Sequence, residues 1–224
     1  MYKNLTCAVI VVAGGKGTRF GGDLPKQFLK LGNKTVIEHS LATFEASPFI
    51  DQIIIVASSE FWGFCESLGL SKLSKIADSG ETRQQSVAKG LSFVDGGLVL
   101  IHDAARPFVD DDKIQTLLAS AYEGGGATLA TPVTDTLKIA DTNMCVDKTL
   151  PRESIFAVQT PQAFQLEVIK KAHEHGYADA YDDCQLVELL GIKPRLVRGS
   201  PQNIKITHPM DLEIAQLILA KRSK

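Results

Sequence analysis

Chemistry is concentrated first in one stretch, Ala13-Gly14-Gly15-Lys16-Gly17-Thr18-Arg19-Phe20-Gly21-Gly22-Asp23-Leu24-Pro25-Lys26-Gln27. Five of the nine residues from Gly14 to Gly22 are glycine, so the main chain can approach a ligand with few Cβ atoms in the way. Lys16, Arg19 and Lys26 add three cations to the same loop. An apolar run precedes it and an amphipathic segment follows, and a strand, a glycine loop and a helix in that order offer backbone N–H groups to phosphate oxygens. The pattern is neither of two familiar phosphate loops. Counting G-x-G-x-x-G from Gly15 meets Phe20 at the third glycine, and counting a Walker loop from Gly17 meets Asp23 after Gly22. A surface loop with solvated charges is the bland alternative. Pro25 argues against it, because it fixes the approach to Lys26, and a fixed cation suits charge that develops in a transition state.

Further candidates stand where apolar runs end. Asp103 directly follows Leu98-Val99-Leu100-Ile101-His102 and is placed to lie near a metal or a ribose; a turn cap is the alternative. Arg106 precedes Pro107 on a rigid turn, which suits an anion contact as well as a surface salt bridge. His102 reads as structural, since a phosphate monoester is already mostly dianionic at neutral pH and needs no base to attack phosphorus. Lys205 alternates with Ile204 and Ile206 and so points away from both.

These residues need a scaffold that gathers strand ends. Cys7 to Val12, Ile53 to Ala57, Leu98 to Ile101 and Ala127 to Thr131 read as buried strands. Thr35 to Glu45, Ser59 to Leu68, a helix opened by the Ser79-to-Arg83 turn with Val87, Leu91 and Val94 inward, and Ile114 to Ala121 read as helices between them. Such alternation predicts an α/β fold: an open, mostly parallel, Rossmann-like sheet with helices on both faces, whose site lies at the strands' carboxyl ends. From 136 to 158 the rhythm changes to period two at Leu137, Ile139, Ile155 and Ala157, which predicts a projecting β-arm on a single domain spanning 1–224. Helices over Gln165 to His175 and Asp183 to Leu190, short strands at Arg195 to Val197 and Ile204 to Ile206, and a closing helix from Pro209 to Lys221 complete the reading.

Composition sets the outer bounds. The chain has 224 residues, 44% hydrophobic and 22% charged, with a net charge of −2, which suits a globular protein and argues against a nucleic-acid groove. Cys7, Cys65, Cys145 and Cys184 are scattered, with no C-x-x-C and no paired histidine spacing, so neither a zinc site nor a disulfide framework is expected. The first apolar run leads into the glycine loop rather than a cleavage site, and no stretch reaches membrane-spanning length; no membrane partner and a cytoplasmic location are the expectation.

The glycine loop with its Pro25-Lys26-Gln27 end closely resembles the signature of sugar- and polyol-phosphate nucleotidyltransferases. His102-Asp103-Ala104-Ala105-Arg106-Pro107, Pro132-Val133-Thr134-Asp135-Thr136, Gln159-Thr160-Pro161-Gln162 and Asn203-Ile204-Lys205-Ile206-Thr207 narrow this. Together, over about Cys7 to Leu219, they resemble the 2-C-methyl-D-erythritol 4-phosphate cytidylyltransferase family. The resemblance implies a CTP-dependent transfer to a polyol phosphate with Mg²⁺ on the triphosphate. It casts Arg19, Lys26 and Lys205 as catalytic. It makes Ala13, Gly14, Gly15, Gly17, Gly80, Glu81, Ser86 and Asp103 nucleotide-binding, with Asp103 also the metal ligand. Arg106, Thr136, Arg152 and Thr160 fall on the acceptor side, the last two reaching a neighbouring protomer's site, so the arm would embrace a second subunit in a homodimer. One departure is Tyr181, where the family commonly has threonine, and it bears on acceptor identity. A ribitol-phosphate cytidylyltransferase is the near alternative; Ala104-Ala105 favours methylerythritol phosphate. A nicotinamide-dependent oxidoreductase, with Glu38 as ribose acid, is the distant one.

Overall fold

The computed structural model describes residues 1–15, 20, 24–177 and 180–222. Strands β1 (Cys7–Val12), β2 (Lys30–Leu31), β3 (Lys34–Thr35), β4 (Gln52–Ala57), β5 (Leu73–Asp78), β6 (Leu98–Asp103), β7 (Gly126–Pro132), β8 (Lys138–Ala140), β9 (Val146–Thr149), β10 (Phe156–Gln165) and β11 (Arg195–Arg198) alternate with helices. The helices are α1 (Val36–Ala46), α2 (Trp62–Ser67), α3 (Arg83–Leu91), α4 (Asp111–Gly124), α5 (Leu166–Glu174), α6 (Asp183–Glu188) and α7 (Pro209–Arg222). Seven strands form one sheet in the order β11-β7-β10-β6-β1-β4-β5. Every pairing in it is parallel except those of β10, which runs against both β6 and β7.

The central strands are apolar at successive positions because both faces are covered. Val9, Val11, Ile53, Ile55 and Leu100 face a layer that includes Leu41 and Phe44 of α1 and Leu117 of α4. Their neighbours Ala8, Ile10, Ile54, Val56 and Ile101 face Val87 and Leu91 of α3, Ile169 of α5 and Leu186 of α6. Helix α7 closes one end, with Ala215 buried against Leu31, Val36, Phe108 and Ile206. Two capping boxes start the helices nearest the strand ends: Thr35 with Glu38 opens α1, and Thr82 with Gln85 opens α3. Glu38 therefore belongs to a cap, bonded to the N–H and hydroxyl of Thr35, which removes the ribose acid that an oxidoreductase would need.

Four features differ from the sequence reading. Strand β5 escaped it, because an edge strand with exposed Ser74 and Lys75 carries no apolar run. Strand β10 continues through Pro161 into the centre of the sheet, and its register against β7 shifts between Val158 and Gln162. Proline is tolerated inside a sheet at such a bulge. Ile155 lies just outside and Ala157 within this main-sheet strand, so the two-stranded arm is only β8 and β9. The segment 204–206 forms no strand; its Ile206 N–H bonds to the Ala105 carbonyl at 2.9 Å. No helix among the described residues is long and apolar enough to cross a membrane.

Helix α3 sits unusually close to the sheet at Gly90, where a Cβ would lie 2.6 Å from Ile10 Cγ2 and 3.1 Å from Val56 Cγ2. Gly90→Ala gains about 1 kcal/mol of helix propensity but overpacks the layer by about 1–3 kcal/mol. Net destabilisation is the expected result, read as a lower urea midpoint at unchanged m; a midpoint equal to or above the parent's would show that α3 can retreat without cost.

Candidate active site

The carboxyl ends of β1, β4, β5 and β6 lie side by side, and Val12 of β1 is in register with Asp103 of β6. The chain runs from β1 outward to β4 and β5 and then returns to β6 on the other side of β1, which is where open α/β sheets bind ligands. A cavity of about 820 Å³ opens there, walled by Ala13 to Gly15, Pro25 to Gln27, Ser79 to Arg83, Ser86, Asp103 to Ala105, Lys205 and Thr207 among others.

Close backbone approaches build the walls. A Cβ on Gly14 would collide with that of Ser79, so the glycine loop and the turn after β5 touch directly. At Gly80 a Cβ would strike Gln85 and come within 2.9 Å of the Ser86 nitrogen. The Ser86 hydroxyl accepts from the Gly80 N–H and donates to the Thr82 carbonyl, both at 2.9 Å, so it braces the turn. Gln27, 3% exposed, donates to the carbonyls of Ala13 and Gly15 and ties the loop to the helical turn that carries Lys26. That role for Gln27 was not foreseen, although it stands in the Pro25-Lys26-Gln27 motif.

Asp103 is the electrostatic centre. Its Oδ1 accepts from Arg83 Nε at 3.1 Å, its Oδ2 accepts from Lys205 Nζ at 2.7 Å, and Arg106 Nε stands 4.0 Å away. Burial alone would raise its pKa; Arg83, Lys205 and Arg106 outweigh this and hold the carboxyl far below the usual carboxylate range. Arg83 also donates to Asp183 Oδ2 at 2.6 Å, and Asp183, likewise buried, is lowered chiefly by Arg83 against the same desolvation. The sequence reading missed Arg83 and Asp183 because neither stood out in its own segment.

Asp103 does not fit the divalent-cation role expected of it. Both oxygens already accept from cationic N–H groups and Arg106 stands 4.0 Å away, so a divalent cation bound there would meet the repulsion of three positive side chains. Among the described residues, no cluster of three or more His, Cys, Asp or Glu gathers elsewhere for a metal.

The other sequence candidates divide. Lys26, Lys205, Ala13, Gly14, Gly15, Gly80, Glu81, Ser86 and Asp103 line the one cavity. Gly17 and Arg19 lie outside the described residues. Arg106 sits behind Asp103 rather than on the wall, with Nη1 donating to the Asn203 carbonyl at 2.8 Å and a buried Nε that has no hydrogen-bond acceptor among the described residues. Thr136 and Arg152 are exposed, and Arg152 Nη1 donates to the Thr134 carbonyl at 2.6 Å. Thr160 corrects the expectation most clearly. It is buried in its own chain, held inward by the β10 bulge, and its hydroxyl oxygen accepts from the Asp103 N–H at 3.1 Å. The same oxygen lies 3.1 Å from His102 Nδ1, so it is not offered to a neighbour.

His102 is structural, as expected. Burial pushes its pKa down to about 4, so the ring is neutral near pH 7. Its Nε2 faces the Arg106 carbonyl at 3.0 Å, which can only accept; Nε2 therefore carries the proton, and Nδ1 accepts from Thr160. Because the unfolded chain takes up this proton near pH 6.5 and the folded one only near 4, the neutral ring contributes stability that is full above about 6.5. That contribution, about 3 kcal/mol, is lost as pH falls from about 6.5 towards 4. Urea midpoints at pH 7.5 and 5 should fall further in the parent protein than in His102→Gln; equal losses would mean that His102 does not bury its neutral form.

Comparison with known proteins follows the same lines. The family model described as 2-C-methyl-D-erythritol 4-phosphate cytidylyltransferase matches residues 7–221. A protein of that name from Halalkalibacterium halodurans is 40% identical over 225 residues, covering 97% of this chain and 98% of the relative. One from Dehalococcoides mccartyi is 41% identical with 99% of each covered. Among solved structures, a 4-diphosphocytidyl-2C-methyl-D-erythritol synthase from Anaerococcus prevotii superposes with a TM-score of 0.86 at 29% identity, covering 96% of both chains. The Francisella tularensis 2-C-methyl-D-erythritol 4-phosphate cytidylyltransferase gives 0.81 at 34% identity, with 95% of this chain and 99% of that one covered. With a matching family model spanning 7–221, and a cavity walled by residues of three of the motifs that first suggested it, this chain belongs to the 2-C-methyl-D-erythritol 4-phosphate cytidylyltransferase family.

Proposed function

We infer that this chain joins CTP and 2-C-methyl-D-erythritol 4-phosphate, giving 4-diphosphocytidyl-2-C-methyl-D-erythritol and pyrophosphate, a step of non-mevalonate isoprenoid synthesis. The observation that carries this reading is the family match from 7 to 221 together with the placement of its loop, turn and lysine residues around one cavity. An acceptor phosphate oxygen forms the new bond to the α-phosphorus of CTP as the bond to the pyrophosphate oxygen breaks. The acceptor is already an anion, so no base is required, and catalysis consists of positioning and charge stabilisation. The N–H groups of the glycine loop, Lys26 and Arg19 are assigned to the triphosphate, and Lys205 to the reacting phosphates. The Gly80-Glu81 turn and Ser86 are assigned to the cytosine end, where the fixed backbone suits reading of a pyrimidine edge. Asp103 orders the cations around it.

Mg²⁺ is the cation we expect to accompany the triphosphate, supplying charge neutralisation when bound. Because Mg²⁺ is commonly held by substrate phosphates and water with few protein groups, the commitment of Asp103 to arginine and lysine does not oppose it. Both substrates are water-soluble anions, which suits the cytoplasmic location expected from the sequence.

Pyrophosphate release, followed with CTP and a panel of polyol phosphates that includes ribitol 5-phosphate, tests the reading. Turnover should be highest with CTP and methylerythritol phosphate and at least about 100-fold lower with ATP, on the scale of a site that hydrogen-bonds one base and rejects another. Comparable turnover with ATP would sink the cytidylyl assignment, and preference for ribitol 5-phosphate would move the chain to the alternative acceptor.

A homodimer with shared sites is the quaternary arrangement we propose. Its support is the arm: Ile139, Met144 and Val146 on β8, the turn and β9, with Phe156 and Val158 at its base, are large apolar side chains left exposed. An uncovered strand edge of this kind is a liability that a twofold partner removes in a self-complementary way. Arg152, at the foot of the arm, is the residue assigned to the neighbour's acceptor phosphate; Thr160 is withdrawn from that role by its burial. Mixing inactive Arg152→Ala chains with inactive Lys26→Ala chains should restore about one quarter of the parent activity. Random exchange makes about half the dimers mixed, each with one intact site of two. Demonstrated subunit exchange without recovery would overturn the shared site.

A further inference from the structure

Behind the cavity wall lies a chain of alternating charges that the reaction as described does not use in full. It runs Asp183, Arg83, Asp103, Lys205, with contacts of 2.6, 3.1 and 2.7 Å between successive members. Arg83, Asp103 and Lys205 line the cavity; Asp183 does not. It is the first residue of α6 and 1% exposed, its N–H donates to Gln162 Oε1 at 3.2 Å, and its Oδ1 lies 3.3 Å from His173 Nε2. These three links, to Arg83, Gln162 and His173, hold Asp183 in place on the far side of Arg83, out of reach of any substrate in the cavity.

The geometry of Arg83 says what this arrangement does. A guanidinium is a flat fork that, left to itself, engages both oxygens of one carboxylate. Here it is divided, with Nε on Asp103 Oδ1 and Nη1 on Asp183 Oδ2. With Nη1 anchored on Asp183, the guanidinium plane is held so that it meets Asp103 through Nε alone, and Oδ2 is left facing Lys205. If Asp183 lost its charge, Arg83 could turn to grip Asp103 with both arms, and Lys205 would lose its seat. We propose that Asp183 is a positioning residue for Lys205, acting through Arg83 and Asp103 by keeping the guanidinium fork divided between two carboxylates.

The test uses the full-length protein and Asp183→Asn, which keeps the shape and removes the charge. Its first readout is independent of the reaction: the rate of amine acylation at Lys205, measured by peptide mass spectrometry against the exposed Lys148 as internal standard. Lys205 should be labelled at least about tenfold faster in Asp183→Asn, the scale of one charge-assisted hydrogen bond released; an unchanged rate overturns the proposal. The second readout rests on the cytidylyl-transfer reading. In Asp183→Asn, kcat should fall about tenfold with KM for CTP within about threefold, and the same substitution in a Lys205→Ala background should lower kcat no further. A full multiplicative loss in that background, or parent-like kcat, overturns the proposal. Should the parent itself show no transfer, the function reading fails and the labelling alone decides this one. If Asp183→Asn does not fold, Asp183→Ser, which also removes the charge and keeps Arg83, replaces it in both readouts, and the same outcomes apply.

Discussion

A buried carboxylate surrounded by cations sets the terms for the rest of this site. Asp103 stands at the end of a central strand, nearly inaccessible, where an unpaired charge would be very costly. It remains ionised because Arg83 arrives from the start of α3, Lys205 from the segment before α7, and Arg106 from the turn after β6. Each of these comes from a different part of the chain, so the pairing that makes Asp103 tolerable also brings the cavity walls together. Its own N–H is fixed by Thr160, which the β10 bulge turns inward. The positive groups around Asp103 are thereby held in place before any ligand arrives.

The second constraint is steric. The loop after β1 and the turn after β5 meet at Gly14 and Ser79, and the turn folds on itself at Gly80. Neither approach leaves room for a side chain, and hydrogen bonds from Gln27 and Ser86 hold the two segments in that contact. Rigid walls of this kind suit a reaction whose catalysis is chiefly placement, because stabilising dipoles then need no reorganisation as charge develops.

Local pattern was enough for the parallel core. Cys7–Val12 was read with its observed bounds, and the strands at 53–57 and 98–101 lie within β4 and β6, because strands buried on both faces are apolar at every position. The starts of α1 and α3 were visible in Thr35 and the Ser79-to-Arg83 turn, since a cap is a short-range signal. Strand β5, half-exposed at the sheet edge, and β10, interrupted by Pro161, carry no such signal and were found only in three dimensions.

For the site, the sequence by itself determined the components: a glycine loop ending at a proline-fixed lysine, an aspartate at a strand end, and a lysine between two isoleucines. Those depend on residue type and spacing within a few positions, which a single chain displays directly. Tertiary structure alone decided which of them meet and what each is free to do. It gave both oxygens of Asp103 to arginine and lysine, turned Thr160 inward, and set Arg83 between two carboxylates that lie 80 positions apart in the chain, Asp103 and Asp183. Charge pairing across such separations follows from how strands are ordered in the sheet, and no local pattern encodes that order.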